Sequence, residues 1–322
     1  RGGPAASLFE VKEATGRTMA ATASEVYAKW RYRLIPDHVL GEILSKNWID
    51  NAIPVAILVV TVLFFSSVVP GFLTVGGLSE NARQLGELML VVLGMTIVLL
   101  AGGIDLSVGS NFALTTFLSL GMFNALGWPV PVVVALGVAT GALVGLVNGL
   151  LVGYLRLRAF LTTLVTLIIV RAIVDTLILK YQVVVSNPTQ ESVVWDFMGD
   201  GSFYGFPCSF LVAVAVAVVA HVFLTRLKLG WHIQAVGGSR RSAHNAGISV
   251  RRTVCLTYVI SGALAAAAGV LYAARLSGAG TDTGMGLEIS ALTAAVLGGN
   301  SLGGGRGSVV KALIGAVIVL LL

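Results

Sequence analysis

Long apolar runs, broken twice by the same glycine pair, constrain this chain more than any other feature. The runs Leu88 to Ala101 and Phe112 to Phe123 are separated by Gly102-Gly103-Ile104-Asp105-Leu106-Ser107-Val108-Gly109-Ser110. A second copy, Gly298-Gly299-Asn300-Ser301-Leu302 and then Gly307-Ser308, keeps the same frame with two extra residues and again interrupts apolar sequence. Matching glycine breaks in two halves of a membrane chain point to a transport pathway.

A chain that is 56% hydrophobic and 11% charged lies outside the range of soluble domains. Its apolar runs have helix-spanning length, which predicts helices rather than a β-barrel. The expected fold is an all-α polytopic membrane protein of about nine or ten spans, with one glycine-interrupted helix in each half. The predicted spans are Ile53–Val69, Gln84–Ala101, Val108–Leu126, Val130–Tyr154, Phe160–Leu179, Ser209–Leu224 and Val254–Ala274. A half-span Ile289–Leu297 and the run Val309–Leu322 complete the series. Residues 1–50 read as a polar cytoplasmic tail in which Val26, Tyr27, Trp30 and Leu34 share one face of an interfacial elbow helix; residues 51–322 are the transmembrane domain. About fifty polar residues before the first span lead us to expect no cleavable signal peptide there. Arg1 in place of Met, and an end inside an apolar run, lead us to expect a missing native start and a missing final span.

The location of the net charge of +6 argues against nucleic acid as a partner. Arg226, Lys228, Arg240, Arg241, Arg251 and Arg252 fall in one short loop, 226–253, that contains no acid. Such a loop is expected on the cytoplasmic side, as are Arg156 and Arg158, which places the N-terminus inside. Tyr181 to Pro207 carries Glu191, Asp196 and Asp200 without Lys or Arg after Tyr181, as an outer loop should; with Trp195 it is the external region large enough to receive a partner.

Within Val130–Tyr154, Gly137, Gly141, Gly145, Gly149 and Gly153 recur every four residues on one helix stripe. Such a stripe is a packing seam for a neighbouring backbone, with a solute-lining groove as the alternative. Asn148 beside it can bond between helices. Arg171 and Asp175, one turn apart, form a candidate intramembrane pair toward the outer end of their span. Cys208 and Cys255 open consecutive spans and so belong to opposite membrane faces, too far apart for a disulfide.

Catalytic motifs are not found. Gly303-Gly304-Gly305-Arg306-Gly307-Ser308 lacks the lysine of a phosphate loop, and His38, His221, His232 and His244 are scattered without partners at metal-ligand spacing. We therefore expect no metal site and no enzymatic activity. Asp105 is either a pathway-lining acid or the N-cap of a helix beginning at Leu106, accepting from Ser107 or Val108. The second copy has Ser301 in its place, which favours the cap. In the basic loop, Ser239 is a suitable N-cap and Gly247 a suitable terminator for a two-turn helix that needs a docking partner.

The motif at 102–110, Asn148-Gly149, Ala235-Val236-Gly237-Gly238 through Ala246-Gly247-Ile248, and Ala294 through Ser308 together resemble the permease subunits of bacterial ribose-type ABC importers, over roughly residue 50 to the end. Ser239 stands where that family usually has Asn. The resemblance implies a permease dimer, formed with a second copy or a homologue, in the bacterial inner membrane. It also implies a cytoplasmic ATPase that holds ATP and Mg, and a periplasmic solute-binding protein. No cofactor would be held by this chain. Gly238, Ser239, Arg240, Arg241, Ala243, Asn245, Ala246 and Gly247 would form the coupling helix. Gly102, Gly103, Asp105, Ser107, Gly298, Gly299, Asn300 and Ser301 would flank a path for a small hydroxylated solute, moved by alternating access. An ion-coupled secondary transporter, or an ABC permease for branched-chain amino acids or nucleosides, remain the alternatives.

Overall fold

The computed structural model describes residues 49–186 and 191–322; the expected elbow face at Val26, Tyr27, Trp30 and Leu34 lies outside the described residues. Helices follow one another as α1 (Ile49–Val68), α2 (Val75–Leu100), α3 (Val108–Leu120), α4 (Val130–Gly149), α5 (Ala159–Ser186) and α6 (Val193–Gly199). After a two-strand hairpin, β1 (Ser202–Phe203) and β2 (Phe206–Pro207), come α7 (Cys208–Arg226), α8 (Lys228–Gly238), α9 (Arg240–Asn245), α10 (Val250–Leu276), α11 (Leu287–Leu297) and α12 (Val309–Leu321). π-helical turns, Gly121–Ala125 and Leu150–Tyr154, extend α3 and α4.

Among the described residues, five helices are long and apolar enough to cross a membrane: α2, α4 with its π turn, the 159–181 part of α5, α7 and α10. Three shorter apolar helices, Ala52–Val68, α11 and α12, accompany them. Burial sorts the long helices. The apolar window of α2 is 83% buried and that of α10 is 67%, whereas those of α4, α5 and α7 are 28%. Two helices thus form the interior, and the others turn residues such as Leu143, Val147, Ile168, Ile169, Val218 and Val219 outward. An apolar outer surface around a packed interior is the arrangement lipid demands.

The glycine stripe explains how α4 and α10 come together. Gly137, Gly141, Gly145, Gly149 and Gly153 are all buried. A Cβ on Gly145 would strike the Tyr258 carbonyl, one on Gly149 would lie 2.6 Å from the Cys255 carbonyl, and one on Gly153 would lie 2.8 Å from that of Arg251. The stripe therefore faces the α10 backbone rather than an open groove, and only hydrogen at Cα permits the approach.

Several expectations change. α2 starts at Val75, eight residues or more before the expected boundary, because Thr74 caps it by accepting from the Gly77 amide at 3.2 Å; capping chemistry, not hydropathy, sets that end. α10 runs from Val250 to Leu276, past the expected end at Ala274, so Arg275 is helical. Arg171 does not pair with Asp175: its Nη1 donates to the Thr283 carbonyl at 2.7 Å, and Asp175 Oδ1 is buried without a hydrogen-bond partner. Trp195 is not offered to a partner either. It is 2% exposed and stacks on Phe123 with ring centroids 4.3 Å apart, while Tyr204 at the hairpin tip is 89% exposed. Cys208 and Cys255 are both free.

Candidate functional site

The two glycine breaks share one local geometry. At the end of α2, the Gly102 amide donates to Leu99 O (2.8 Å) and the Gly103 amide to Val98 O (3.0 Å), with Gly102 at φ +73°. At the end of α11, the Gly299 amide donates to Val296 O (2.8 Å) and the Asn300 amide to Ala295 O (3.1 Å), with Gly299 at φ +98°. Both are Schellman closures, in which the left-handed residue must be glycine to escape the Cβ clash. The backbone thus pairs Gly102 with Gly299, one residue out of step with the sequence repeat, which pairs it with Gly298.

Beyond the first break a chain of buried polar groups begins. Asp105 is fully buried; its Oδ1 accepts from the Ser107 amide (3.1 Å) and hydroxyl (2.6 Å), and its Oδ2 accepts from Ser261 Oγ on α10 (2.8 Å). Asn148 on α4 donates to Ser107 Oγ (2.8 Å) and accepts from Thr166 Oγ1 on α5 (2.7 Å). Tyr258 donates to Ile104 O (3.2 Å), and Thr163 Oγ1 accepts from the Leu106 amide (3.2 Å). Asp105 does accept the local amide expected of it, but the helix starts at Val108 rather than Leu106, and the same carboxylate also ties the break to α10. Among the described residues no cation pairs with it: the ion pairs are Arg83–Asp200, Arg275–Glu80 and Arg275–Glu87.

Beyond the second break the roles are distributed differently. Asn300 spans the gap, donating to Ala295 O (2.9 Å) and accepting from the Ser308 amide (2.7 Å). Ser301 Oγ accepts from the Gly303 amide (3.2 Å), which reproduces the i+2 bond of Asp105, but the helix cap is Ser308, accepting from Lys311 N (3.2 Å). Asp105, Ser107, Gly103, Gly298 and Asn300 are buried, Ser301 is half-buried, and Gly102 and Gly299 are exposed.

The breaks meet each other and the basic loop. The Gly305 amide donates to Leu100 O at 3.0 Å. A Cβ on Gly304 would lie 2.8 Å from Gly102 Cα and 3.0 Å from the Gly237 carbonyl. One on Gly305 would lie 2.7 Å from Gly238 Cα, and one on Gly237 would strike Leu100 O and come within 2.6 Å of the Gly305 nitrogen. Three backbone segments, distant in sequence, converge where side chains cannot fit.

Gly237 and Gly238 close α8, immediately before α9. Ser239 caps α9 by accepting from the Ser242 amide (3.2 Å), and Gly247 follows at φ +80°. Arg240, Arg241, Asn245, Ala246 and Gly247 are exposed, whereas Ala243 is buried in a cluster with Val98, Val152, Val236, Val254 and Tyr258. Ala243 therefore anchors α9 inward instead of presenting itself to a partner. Since Tyr258 also holds Ile104 O, the same cluster touches the first break.

Residues 77–322 match the family model described as branched-chain amino acid transport system / permease component. The chain belongs to this permease family. It is 34% identical over 279 residues to the ribose import permease protein RbsC of Escherichia coli, covering 85% of each chain. It is 35% identical to the galactofuranose transporter permease protein YtfT of the same species, over 71% of this chain and 66% of that one. The D-allose transport system permease protein AlsC, also of Escherichia coli, is 33% identical over 82% of this chain and 79% of its own. No solved structure matches. The protein is thus an integral membrane transport permease.

Sequence reading missed several residues that the fold brings together. Ser261, Thr163, Thr166 and Tyr258 carry no signal in their apolar spans; only contact with Asp105, Asn148 or Ile104 marks them. Glu87 did carry one, as a lone acid inside the second span. It pairs with Arg275, Nε to Oε1 at 2.8 Å and Nη2 to Oε2 at 2.9 Å. Among the described residues no group of three or more His, Cys, Asp or Glu is placed to hold a metal.

Proposed function

We propose that this chain is the membrane permease subunit of an ATP-driven ABC importer, and that it forms the translocation path for a monosaccharide. The observation that carries the reading is the junction at Leu100, Gly237 and Gly305: the last turn of α8, just before an exposed, capped basic helix, is in backbone contact with both glycine breaks. Movement of α9 by a partner has a direct mechanical route to the ends of α2 and α11. In this reading a separate cytoplasmic ATPase, holding ATP and Mg, docks on Arg240, Arg241, Asn245 and Ala246, and a periplasmic binding protein delivers the solute. The permease works as a dimer in the bacterial inner membrane, with nine or ten membrane segments per copy and the N-terminus inside. Gly102, Gly103, Asp105, Ser107 and Gly298 to Ser301 support alternating access from beside the path.

The solute class rests on the ribose, galactofuranose and D-allose transport named for the relatives. The family model's description favours a branched-chain amino acid as the second reading. Reconstitution of the permease with its cognate ATPase and binding protein tests both. The expected result is ATP-dependent, vanadate-sensitive uptake of D-ribose or D-allose but not of leucine. Uptake driven by an ion gradient without the ATPase overturns the importer assignment, and leucine uptake without sugar uptake overturns the solute.

A further inference from the structure

Well away from the glycine junction, α2, α3, α10, α11 and α12 surround a cleft of about 340 Å³, lined by Gln84, Glu87, Phe112, Tyr272, Arg275 and Ser290 among others. Gln84 lies sixteen residues before Leu100 on α2, about 24 Å along the helix axis. The cleft lies against the middle of α2, and the junction at its C-terminal end.

The geometry points to this cleft as a binding subsite for a neutral, polyhydroxylated solute at the outer mouth of the path. The inference rests on the transport reading above and goes beyond it by naming the residues that meet the solute. Three observations carry it. First, the one cation lining the cleft is already taken: Arg275 pairs bidentately with Glu87, their side chains 13% and 8% exposed, and lies 3.7 Å from Glu80 as well, so the site offers no free positive charge to a solute carboxylate. Second, that pair leaves hydrogen-bonding capacity unused. Its hydrogen bonds engage two of the five guanidinium N–H donors and two of about four carboxylate lone-pair sites, with Nη1 facing Glu80 at 3.7 Å. Gln84 and Ser290 add neutral donors and acceptors, which suits vicinal hydroxyls that both give and take hydrogen bonds.

Third, the cleft has a fixed aromatic wall. Tyr272 packs edge-on to Phe112 with ring centroids 5.0 Å apart, and the Arg275 guanidinium lies 5.4 Å from the Tyr272 ring centre. A ring held in this way lines the cleft without further ordering cost, and the face not covered by Arg275 is the one that would stack on the C–H face of a sugar. The volume falls at the small end of the roughly 300–1,000 Å³ range of small-molecule sites, which fits a single sugar ring and not a chain of them. An ionisable pair buried toward one end of the bundle otherwise costs more than it returns, so its place on a cleft wall has a functional explanation.

The test uses the full importer with its ATPase and binding protein in proteoliposomes, with D-ribose, D-allose and D-fructose as probes. For a sugar the wild type carries, uptake of the parent is compared with its monodeoxy analogues in Gln84→Ala, Ser290→Ala and Tyr272→Leu. The binding protein is unchanged, so any change in the parent-to-deoxy ratio arises in the permease. The expected result is a ratio that falls by about tenfold for at least one analogue, because a site that reads a hydroxyl loses discrimination when its partner is removed. Variants that slow parent and analogues by the same factor overturn the subsite. As an independent measurement, Ser290→Cys in a background with Cys208 and Cys255 replaced by Ser is exposed to a membrane-impermeant maleimide. D-ribose, or whichever sugar is carried, should slow labelling at 290 but not at a Tyr204→Cys control. Equal labelling rates with and without sugar overturn the subsite. A wild-type importer that carries none of the sugars overturns the transport reading instead.

Discussion

The amide of Gly305 donates to the carbonyl of Leu100 across 3.0 Å, joining the loop after the second glycine break to the last turn before the first. Gly237 lies against the same carbonyl, so this one contact places both breaks and the basic loop in mechanical series.

Gly237→Ala should therefore lower stability and weaken coupling together, by forcing the three backbone segments apart. Its Cβ would meet Leu100 O and the Gly305 nitrogen, both backbone atoms that cannot rotate away. Uptake per ATP hydrolysed should fall by about tenfold, within the usual range of coupling free energies. Gly121→Ala, where a Cβ meets nothing within 4 Å, is the control and should transport normally.

Asp105 separates two roles for one carboxylate. Asp105→Asn keeps an acceptor for Ser107 and offers an amide donor to Ser261 Oγ, so uptake and thermal stability should stay near wild type. Asp105→Ser retains the local bond but loses Ser261, at about 1 kcal/mol. Asp105→Leu strands Ser107 and Ser261 and should cost about 1–3 kcal/mol for each buried group left unpaired. A well-folded Asn variant that does not transport would make the charge itself essential.

The glycine seam is a stability element. Gly145→Ala forces a Cβ into the Tyr258 carbonyl and should cost about 1–3 kcal/mol, read as a lower melting temperature in detergent. Gly76→Ala on α2, with open space around it, should be neutral or stabilising by about 0.4–1 kcal/mol.

Charge on the exposed face of α9 should matter to the ATPase. The double substitution Arg240→Glu and Arg241→Glu reverses two exposed charges without touching the Ala243 anchor. Association with the ATPase, measured by co-purification or by stimulated hydrolysis, should fall by at least about tenfold, since like charges placed opposite each other cost several kcal/mol. Unchanged association removes these arginines from the docking surface.

Two ion pairs should differ in worth. Arg83–Asp200 has an aspartate side chain 73% exposed, and Arg83→Gln should lower stability by no more than about 1 kcal/mol. Arg275→Gln leaves Glu87 buried without its partner and should cost about 3–5 kcal/mol. Equal effects in thermal unfolding would contradict the burial difference.

Residue order alone determined the solvent, the helices and the repeat. Apolar runs of spanning length need no tertiary information to specify membrane helices, and a glycine pair at the end of such a run supplies the left-handed residue that closes a helix. The Gly137–Gly153 stripe was legible for the same reason: four-residue spacing defines a face before any neighbour is known. The capped helix at Ser239–Gly247 was legible because caps act within a few residues. What faces the stripe, which helix Asp105 reaches, and that Leu100, Gly237 and Gly305 touch were decided only by the tertiary structure. Those contacts join residues 68 to 205 positions apart, and no local propensity encodes which partner a buried hydroxyl or carbonyl will find. Arg171 shows the limit most plainly: its i,i+4 acid was visible in the sequence, yet its guanidinium bonds to Thr283 O, a carbonyl that only the folded chain brings within reach.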